Sequence, residues 1–509
     1  MVRTRKSAFE NGNDWSDSLH WYAIGVREVR KRAFADRTSW LFLAAIHGWH
    51  EGLWQFIGYL DPSDPRPSAA EQQTFFSMCQ HGSWYFLPWH RGYLSAFERI
   101  LGAAIVAEGG PDDWALPYWN YSDASNPDAR TIPAVFEQQT MPDGSPNALF
   151  TPFRFGDAQT GALTMTPSQV SLSALTEPKF GSNQMIPGGF GGGSWPVSHQ
   201  GNAMGMLEGT PHGDVHVAIG GSGVFQGQQI PGLMSSFVTA GLDPIFWLHH
   251  CNIDRLWEVW LQRNAAHLNP SQAAWLGGPM DRPFVVPNAD GTEWHFSCSD
   301  VVNTQSDPLD YIYDDTSDPL SGAGGTQESL AATGTSAPQA VVWEERDTEL
   351  LAASEEGIDL ARDGGTGHVA VPAATLRNAS EKMLAETIVP ADVERYFLML
   401  DNIRGDDNTA VYEVFVDYGE PGLELPSGRR REVLVGTLNT FGLSVPRDEA
   451  GAGEGGFSRL YNITSVVRQM GFDEVPDLGN LHVRIAPITL NAEVPAPTIG
   501  RIAIYRETA

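Results

Sequence analysis

The chain has 509 residues, is 42% hydrophobic, and sets 62 acidic residues against 32 basic ones for a formal net charge of -30. That length accommodates one large domain plus a smaller one. A surface so acidic repels phosphate backbones and anionic lipid, and no run of about twenty apolar residues is present to cross a bilayer, so neither nucleic acid nor membrane is an expected partner.

Three cysteines, Cys79, Cys251 and Cys298, are too few and odd in number for a disulfide framework. The first thirty residues carry no continuous apolar stretch of the secretory kind, and we expect a soluble, cytoplasmic protein. The sequence leaves an oligomer possible.

In chain order, residues 15–36 read as a helix, and RTSWLFLAAIHGWHEG (37–52) as a buried helix containing His47. HGSWYFLPWHRGYLSAFERILGAAI (81–105) is expected to break at Pro88 and to run as a helix from about His90, with Tyr93, Leu94, Phe97, Ile100 and Leu101 at helical spacing. Residues 121–210 are rich in Gly, Pro, Ser and Asn and read as loops. TPHGDVHVAIGG (210–221) is a short helix with a glycine stop. In LDPIFWLHHCNIDRLWEVW (242–260), Asp243 is an N-cap and Pro244 the first residue of a helix running to about Arg263. After YIYDD (311–315), residues 316–380 read as a linker. From about 390 the pattern turns to alternation in RYFLMLDNI, AVYEVFVDYG, REVLVGTLNTF, NLHVRIAPI and GRIAIYRE, which predicts a β-sandwich over 381–509.

Fourteen histidines are present, and eight fall in these segments: His47, His50, His81, His90, His212, His216, His249 and His250. A single histidine on an apolar face is usually a hydrogen-bonded core residue, but the joint pattern is harder to explain that way. His212 and His216 stand one helical turn apart, which suits a shared metal. Gly213 occupies the place of the glutamate in the HExxH zinc-protease motif, so zinc hydrolysis lacks its general base. His250 and Asp254 are also four apart, and a metal-bound imidazole usually donates its other N–H to a carboxylate or carbonyl. His250 is therefore the expected ligand with Asp254 as acceptor. His249, with Ile253 at that offset, is expected to be a packed neighbour or a group that supports the ligands from behind. Two groups of three result: His47, His81, His90 and His212, His216, His250. All-imidazole ligation suits copper, zinc, iron or nickel, and two three-coordinate sites with open positions suit dioxygen between two copper ions.

HGSWYFLPWHRGYLSAFE, LEGTPHGDVH and DPIFWLHHCNIDRLW, in that order, resemble the copper-binding signatures of the coupled binuclear copper proteins: tyrosinases, catechol oxidases and haemocyanins. The resemblance covers residues 1–315. YIYDD is similar to the tyrosine motif that closes the catalytic domain of plant and fungal polyphenol oxidases, and the β-rich tail resembles their C-terminal shielding domain. The implied fold is a mainly α catalytic domain (1–315) whose four-helix core holds both coppers, a linker (316–380) and a C-terminal β-sandwich that shields the site (381–509). The implied ligands are His47, His81 and His90 for one copper and His212, His216 and His250 for the other. The implied activity is oxidation of phenols and catechols to ortho-quinones with dioxygen, the cofactor carrying the redox chemistry.

Further expectations come with the resemblance. Cys79 resembles the cysteine that forms a thioether to the histidine ring two residues on, here His81. Glu208 matches a glutamate that holds a water near the site and helps deprotonate a phenol. Phe237 matches a gate position over the second copper. Gly213 stands where some tyrosinases place an Asn that orients that water, and Val217 offers no charge to a substrate carboxylate. These positions together lean toward diphenols and neutral or hydrophobic phenols. A haemocyanin-like dioxygen carrier and an ortho-aminophenol oxidase use the same six histidines and remain alternatives.

Overall fold

The computed structural model describes residues 2–181, 188–193, 203–280, 282–321, 348–354, 356–360, 364–371, 394–405, 410–418, 432–441, 443, 456–467, 480–489 and 496–507. The chain divides into a helical part up to residue 321 and a β-rich part from residue 348.

Five helices position the histidines. Helix α1 (Asp17–Arg30) starts where the Ser16 side chain accepts from the Leu19 N–H, and α2 (Trp40–His47) starts at Ser39 in the same way. Helix α3 (Phe86–Ala107) packs between α1 and α5. Pro88 does not break it. It sits in the first turn, where a missing N–H costs no intrahelical bond, so the helix begins four residues earlier than the proline suggests. A segment kinked at Thr210, Glu208–Gly213, leads into α4 (Asp214–Gly220), which stops at Gly221 with φ +58°. Helix α5 (Pro244–Arg263) has Asp243 as its cap, accepting from the Ile245 N–H, and Pro244 at its start, as the sequence predicts. Residues 121–181 hold only short 3-10 turns, in agreement with their loop composition.

A parallel pair, β1 (Arg3–Arg5) and β2 (Tyr311–Tyr313), closes the helical part by joining its two ends. Arg5 from β1 bonds Glu98 of α3 and Asp254 of α5, and Tyr311 and Tyr313 donate to the same Asp254 carboxylate. The core around them is a single buried cluster dense in Trp, Phe and Tyr.

The C-terminal part has two sheets. One orders β5 (Gly365–Ala370), β10 (Asn480–Thr489), β7 (Val411–Tyr418) and β8 (Glu432–Asn439). The other orders β9 (Phe457–Asn462), β6 (Arg395–Arg404), β11 (Thr498–Glu507) and β3 (Thr348–Ala353), with β4 (Ile358–Asp359) also on β11. Val369, Val414, Leu438, Val483 and Ile485 of the first meet Tyr396, Leu398, Leu400, Ile502 and Ile504 of the second in one buried cluster. The five alternating segments named above are all strands. Residues 348–353, 358–359 and 365–370, which composition assigns to the linker, form β3, β4 and β5: β3 and β5 lie at sheet edges, where strand character is weakly written. Residues 322–347, 355, 361–363 and 372–380 of that linker lie outside the described residues.

The β part rests on the helical part through strand β8. Thr437 and Asn439, with Phe441 just beyond, face the segment 208–220, while Leu438 faces the sandwich core. Ion pairs Arg395–Glu177 and Lys179–Glu507 fasten a second edge.

Candidate metal centre

Each histidine arrives on a rigid element: His47 on the last turn of α2, His81 on the loop before α3, His90 in the first turns of α3, His212 and His216 on the 208–220 helical stretch, and His249 and His250 on α5. In one group, His47, Cys79, His81 and His90 each bring a ligand atom within 4.8 Å of the others. In a second group, His212, His216, His249 and His250 do the same, and all eight residues are buried. The rings of His90 and His250 stack at 4.4 Å between the groups. His50 is elsewhere, accepting from the Leu53 N–H at the start of a short helix.

Backbone carbonyls orient the rings. Nδ1 of His47 meets the Phe237 carbonyl at 3.1 Å, Nδ1 of His90 that of Phe86 at 2.7 Å, Nδ1 of His212 that of Glu208 at 3.0 Å and Nδ1 of His216 that of Met234 at 2.8 Å. Each bond fixes the Nδ1–H tautomer and leaves Nε2 as a lone-pair donor turned inward. Nε2 of His47 and of His212 has no hydrogen-bond partner, an arrangement that costs free energy unless a metal takes the lone pair. Burial drives His47 and His249 down to about 3, and burial with the neighbouring imidazoles holds His81, His90, His212, His216 and His250 well below their ordinary value. Neutral imidazoles at neutral pH are what transition-metal ligation requires, so the donor sets fit two copper ions.

The expected His250–Asp254 hydrogen bond is absent. Nδ1 of His250 has no partner, and Asp254 accepts from Arg91 Nε at 2.5 Å, Arg5 Nη1 at 3.2 Å, Tyr311 at 2.5 Å and Tyr313 at 2.6 Å. Two guanidinium groups outcompete a neutral imidazole for a buried carboxylate. Burial alone would raise the Asp254 carboxyl, but Arg91, Arg5 and the two hydroxyls outweigh it and hold the group below its ordinary value. Asp254 therefore anchors α5 rather than orienting a ligand. His249, expected as a packed neighbour, lies within the second group, its ring 5.4 Å from His212, and neither of its nitrogens has a hydrogen-bond partner.

Phe237 sits beside the first group, with ring centroids 5.0 Å from His47 and 5.5 Å from His81, and no histidine of the second group is among its ring contacts in the described residues. The gate expected over the second site is thus displaced, because the Phe237 backbone is tied to His47. Cys79 Sγ lies 3.6 Å from Nδ1 and 3.8 Å from Nε2 of His81, and 3.2 Å from Nε2 of His90. Val217 is buried on α4, one residue past His216.

Glu208 is buried, with Oε1 accepting from the Gly82 N–H at 2.8 Å and Oε2 unpartnered. Burial pushes its carboxyl up to about 8, against the Gly82 N–H and the Arg459 charge. The small space between Glu208, His81, His212 and Gly213 is closed from the C-terminal side by Asn439, Phe441 and Phe457. The Phe441 ring stacks on His216 at 4.0 Å and 15° and lies 5.7 Å from His212 and 5.9 Å from His81. Asn439 donates to the Gly209 carbonyl at 2.9 Å and to Asp214 at 2.7 Å. The alternation of REVLVGTLNTF places Thr437, Asn439 and Phe441 on one face, but nothing local says what that face meets.

A family model described as the common central domain of tyrosinase matches residues 37–263, and a second, described as a domain of unknown function, matches 347–507. A tyrosinase of Hahella sp. (strain CCB-MM4) is 31% identical over 519 residues, covering 99% of this chain and 100% of that relative. Catechol oxidase B of Solanum tuberosum is 32% identical over 206 residues, which span 38% of this chain and 33% of the plant enzyme. Latent apple tyrosinase has a similar fold over 100% of this chain and 98% of its own, with a TM-score of 0.59 at 20% identity.

Proposed function

Because this chain belongs to the tyrosinase family, with two coppers as its cofactor and phenols and dioxygen as the family's reactants, we propose that it oxidises catechols ahead of monophenols and is held latent by its C-terminal domain. The observation that carries the reading is the pair of buried, neutral histidine groups with Phe441 stacked over one of them.

When bound, the two copper ions supply the dioxygen activation and redox capacity that turn an ortho-diphenol into an ortho-quinone. In this proposal His47, His81 and His90 hold one ion, and His212, His216 and His250 hold the other. The carbonyls of Phe237, Phe86, Glu208 and Met234 keep the tautomers correct. Cys79 Sγ bonds to a ring carbon of His81, the S–H and ring C–H hydrogens leaving with two electrons to the dioxygen that the activity consumes, and the bond fixes the ring's direction. Glu208 accepts a phenolic proton at Oε2, the oxygen that makes no bond in the closed form. Gly213 brings no side chain to help Glu208, which favours catechols, whose protons are lost more easily, over monophenols. The aromatic wall of Phe237 and the apolar Val217 favour an uncharged ring.

Oxygen uptake by copper-loaded full-length protein, given a monophenol and then the matching catechol, before and after limited proteolysis within 322–347, tests the reading. Uptake on the catechol that exceeds uptake on the monophenol and rises on cutting is the expected result. Equal rates on both would make the enzyme a monophenolase. Reversible dioxygen binding without turnover, cut or uncut, would replace the enzyme with a carrier.

A further inference from the structure

The C-terminal domain offers the helical part a particular set of groups. The Phe441 ring covers His216. Next to it, Asn439 Nδ2 donates to Asp214 Oδ1 at 2.7 Å and Thr437 Oγ1 donates to Asp214 Oδ2. Arg459 stands behind, donating to Asn439 Oδ1 at 3.1 Å. The shield thus presents an aromatic ring joined to hydrogen-bond donors, backed by a cation. Asp214 is fully buried, and its only donor from the helical part among the described residues is the Thr210 hydroxyl, at 2.9 Å.

We propose that Asp214 is a specificity residue of the open enzyme, selecting phenols and catechols that carry an ammonium or other donor-bearing side chain, and that the docked domain occupies the place of such a molecule. This rests on the activity proposed above. With the strand gone, Asp214 keeps one hydrogen bond and regains its affinity for a cation. Gly213, which lines the space beside Asn439 and Phe441, adds no side chain there, and Val217 supplies no opposing positive charge. Asn439 and Phe441 are two residues apart, at most about 7 Å of backbone, and a two-carbon ammonium arm carries its nitrogen about 5 Å from a ring centre, within hydrogen-bond reach of a group that far away. A carboxylate side chain would face Asp214 within a chain of net charge -30.

The test uses the copper-loaded full-length chain with Thr437→Ala, Asn439→Ala, Phe441→Ala and Arg459→Ala combined, which opens the site without cutting the chain. Binding of 2-phenylethylamine and of 3-phenylpropionate, neither of them a phenol, is measured by calorimetry. The specificity constants of aminoethyl- and carboxyethyl-catechol are measured beside them. The amine is expected to bind on the order of tenfold more tightly than the acid, with the margin shrinking at high salt and on Asp214→Asn. Equal or tighter binding of the acid, or a margin unchanged by salt and by Asp214→Asn, overturns the proposal. Should the combined variant not fold, the same two ligands are compared, with and without salt, on wild-type chain after limited proteolysis. Turnover of uncharged 4-methylcatechol separates the two readings. Its absence from the opened chain sinks the proposed activity, whereas its presence without a charge preference sinks only the role of Asp214.

Discussion

Phe441, carried by the C-terminal domain, lies flat against His216 of the helical domain at 4.0 Å and 15°. In the proposed reading, that ring occupies the place above a histidine group that a phenolic ring would take. The two residues are 225 positions apart, and strand β8 brings them together through the bonds of Thr437 and Asn439 to Asp214.

Phe441→Ala in the full-length chain removes the ring but keeps the polar contacts of β8. Catechol-dependent oxygen uptake should rise on the order of tenfold, because the competent fraction of molecules rises. An unchanged rate would mean that Phe441 does not limit access.

Gly213→Ala should act in the same direction by another route. A Cβ at residue 213 would meet Asn439 Oδ1 at 2.5 Å and Nδ2 at 2.7 Å, and Asn439 is held by bonds to Gly209, Asp214 and Arg459. Gly213 has φ near -65°, so alanine strains no backbone there. Faster cleavage of the linker and higher uncut activity are expected. Wild-type values for both would show that Asn439 yields.

Copper content separates the adjacent histidines. His250→Ala should lose about one ion per chain and the activity, while His249→Ala should retain both coppers. Metal analysis showing loss in His249→Ala and retention in His250→Ala would reverse the assignment.

Asp254→Asn leaves Arg5 and Arg91 buried without their shared carboxylate, and a cost of about 3–5 kcal/mol is expected. The Asp254 carboxyl is lowered in the folded chain. Its contribution is therefore complete above the ordinary carboxylate value of about 3.9 and is lost as pH falls through the lower folded value. Urea midpoints at pH 7 should separate wild type from variant widely, and the gap should close in strong acid. A gap that is the same at both pH values would deny the ion network this role.

A bond between Cys79 and the ring of His81 removes two hydrogens and one thiol. Copper-loaded protein should titrate two free thiols under denaturing conditions where the sequence has three cysteines, and a peptide carrying both residues should be lighter by two hydrogens. Three thiols would show that the sulfur packs without bonding.

The main helices, the cap of α5 and the alternating strands are legible because each is written in neighbouring residues: Asp243-Pro244 starts α5, and alternation marks β6, β7, β8, β10 and β11. The pairing of His212 with His216 was legible as one helical turn. What failed were inferences that reached across space from local spacing. Asp254 has the right offset from His250, yet Arg5, 249 residues away in the chain, and Arg91 claim its oxygens. Pro88 looked like a break because its cost depends on where the helix begins, which the packing of α3 decides.

The sequence by itself determined the chemistry on offer: six histidines in two sets, an uncharged position after His216, and a glutamate four residues before His212. These are properties of residue type and helical period, and they survive any packing that keeps the helices. Only the tertiary structure decided what meets what. It set Phe441 on His216 and Asn439 over Gly213, moved Phe237 to the first histidine group, and gave Asp254 to arginines. Contacts between elements hundreds of residues apart are fixed by how two buried cores close on each other, and no local period encodes that.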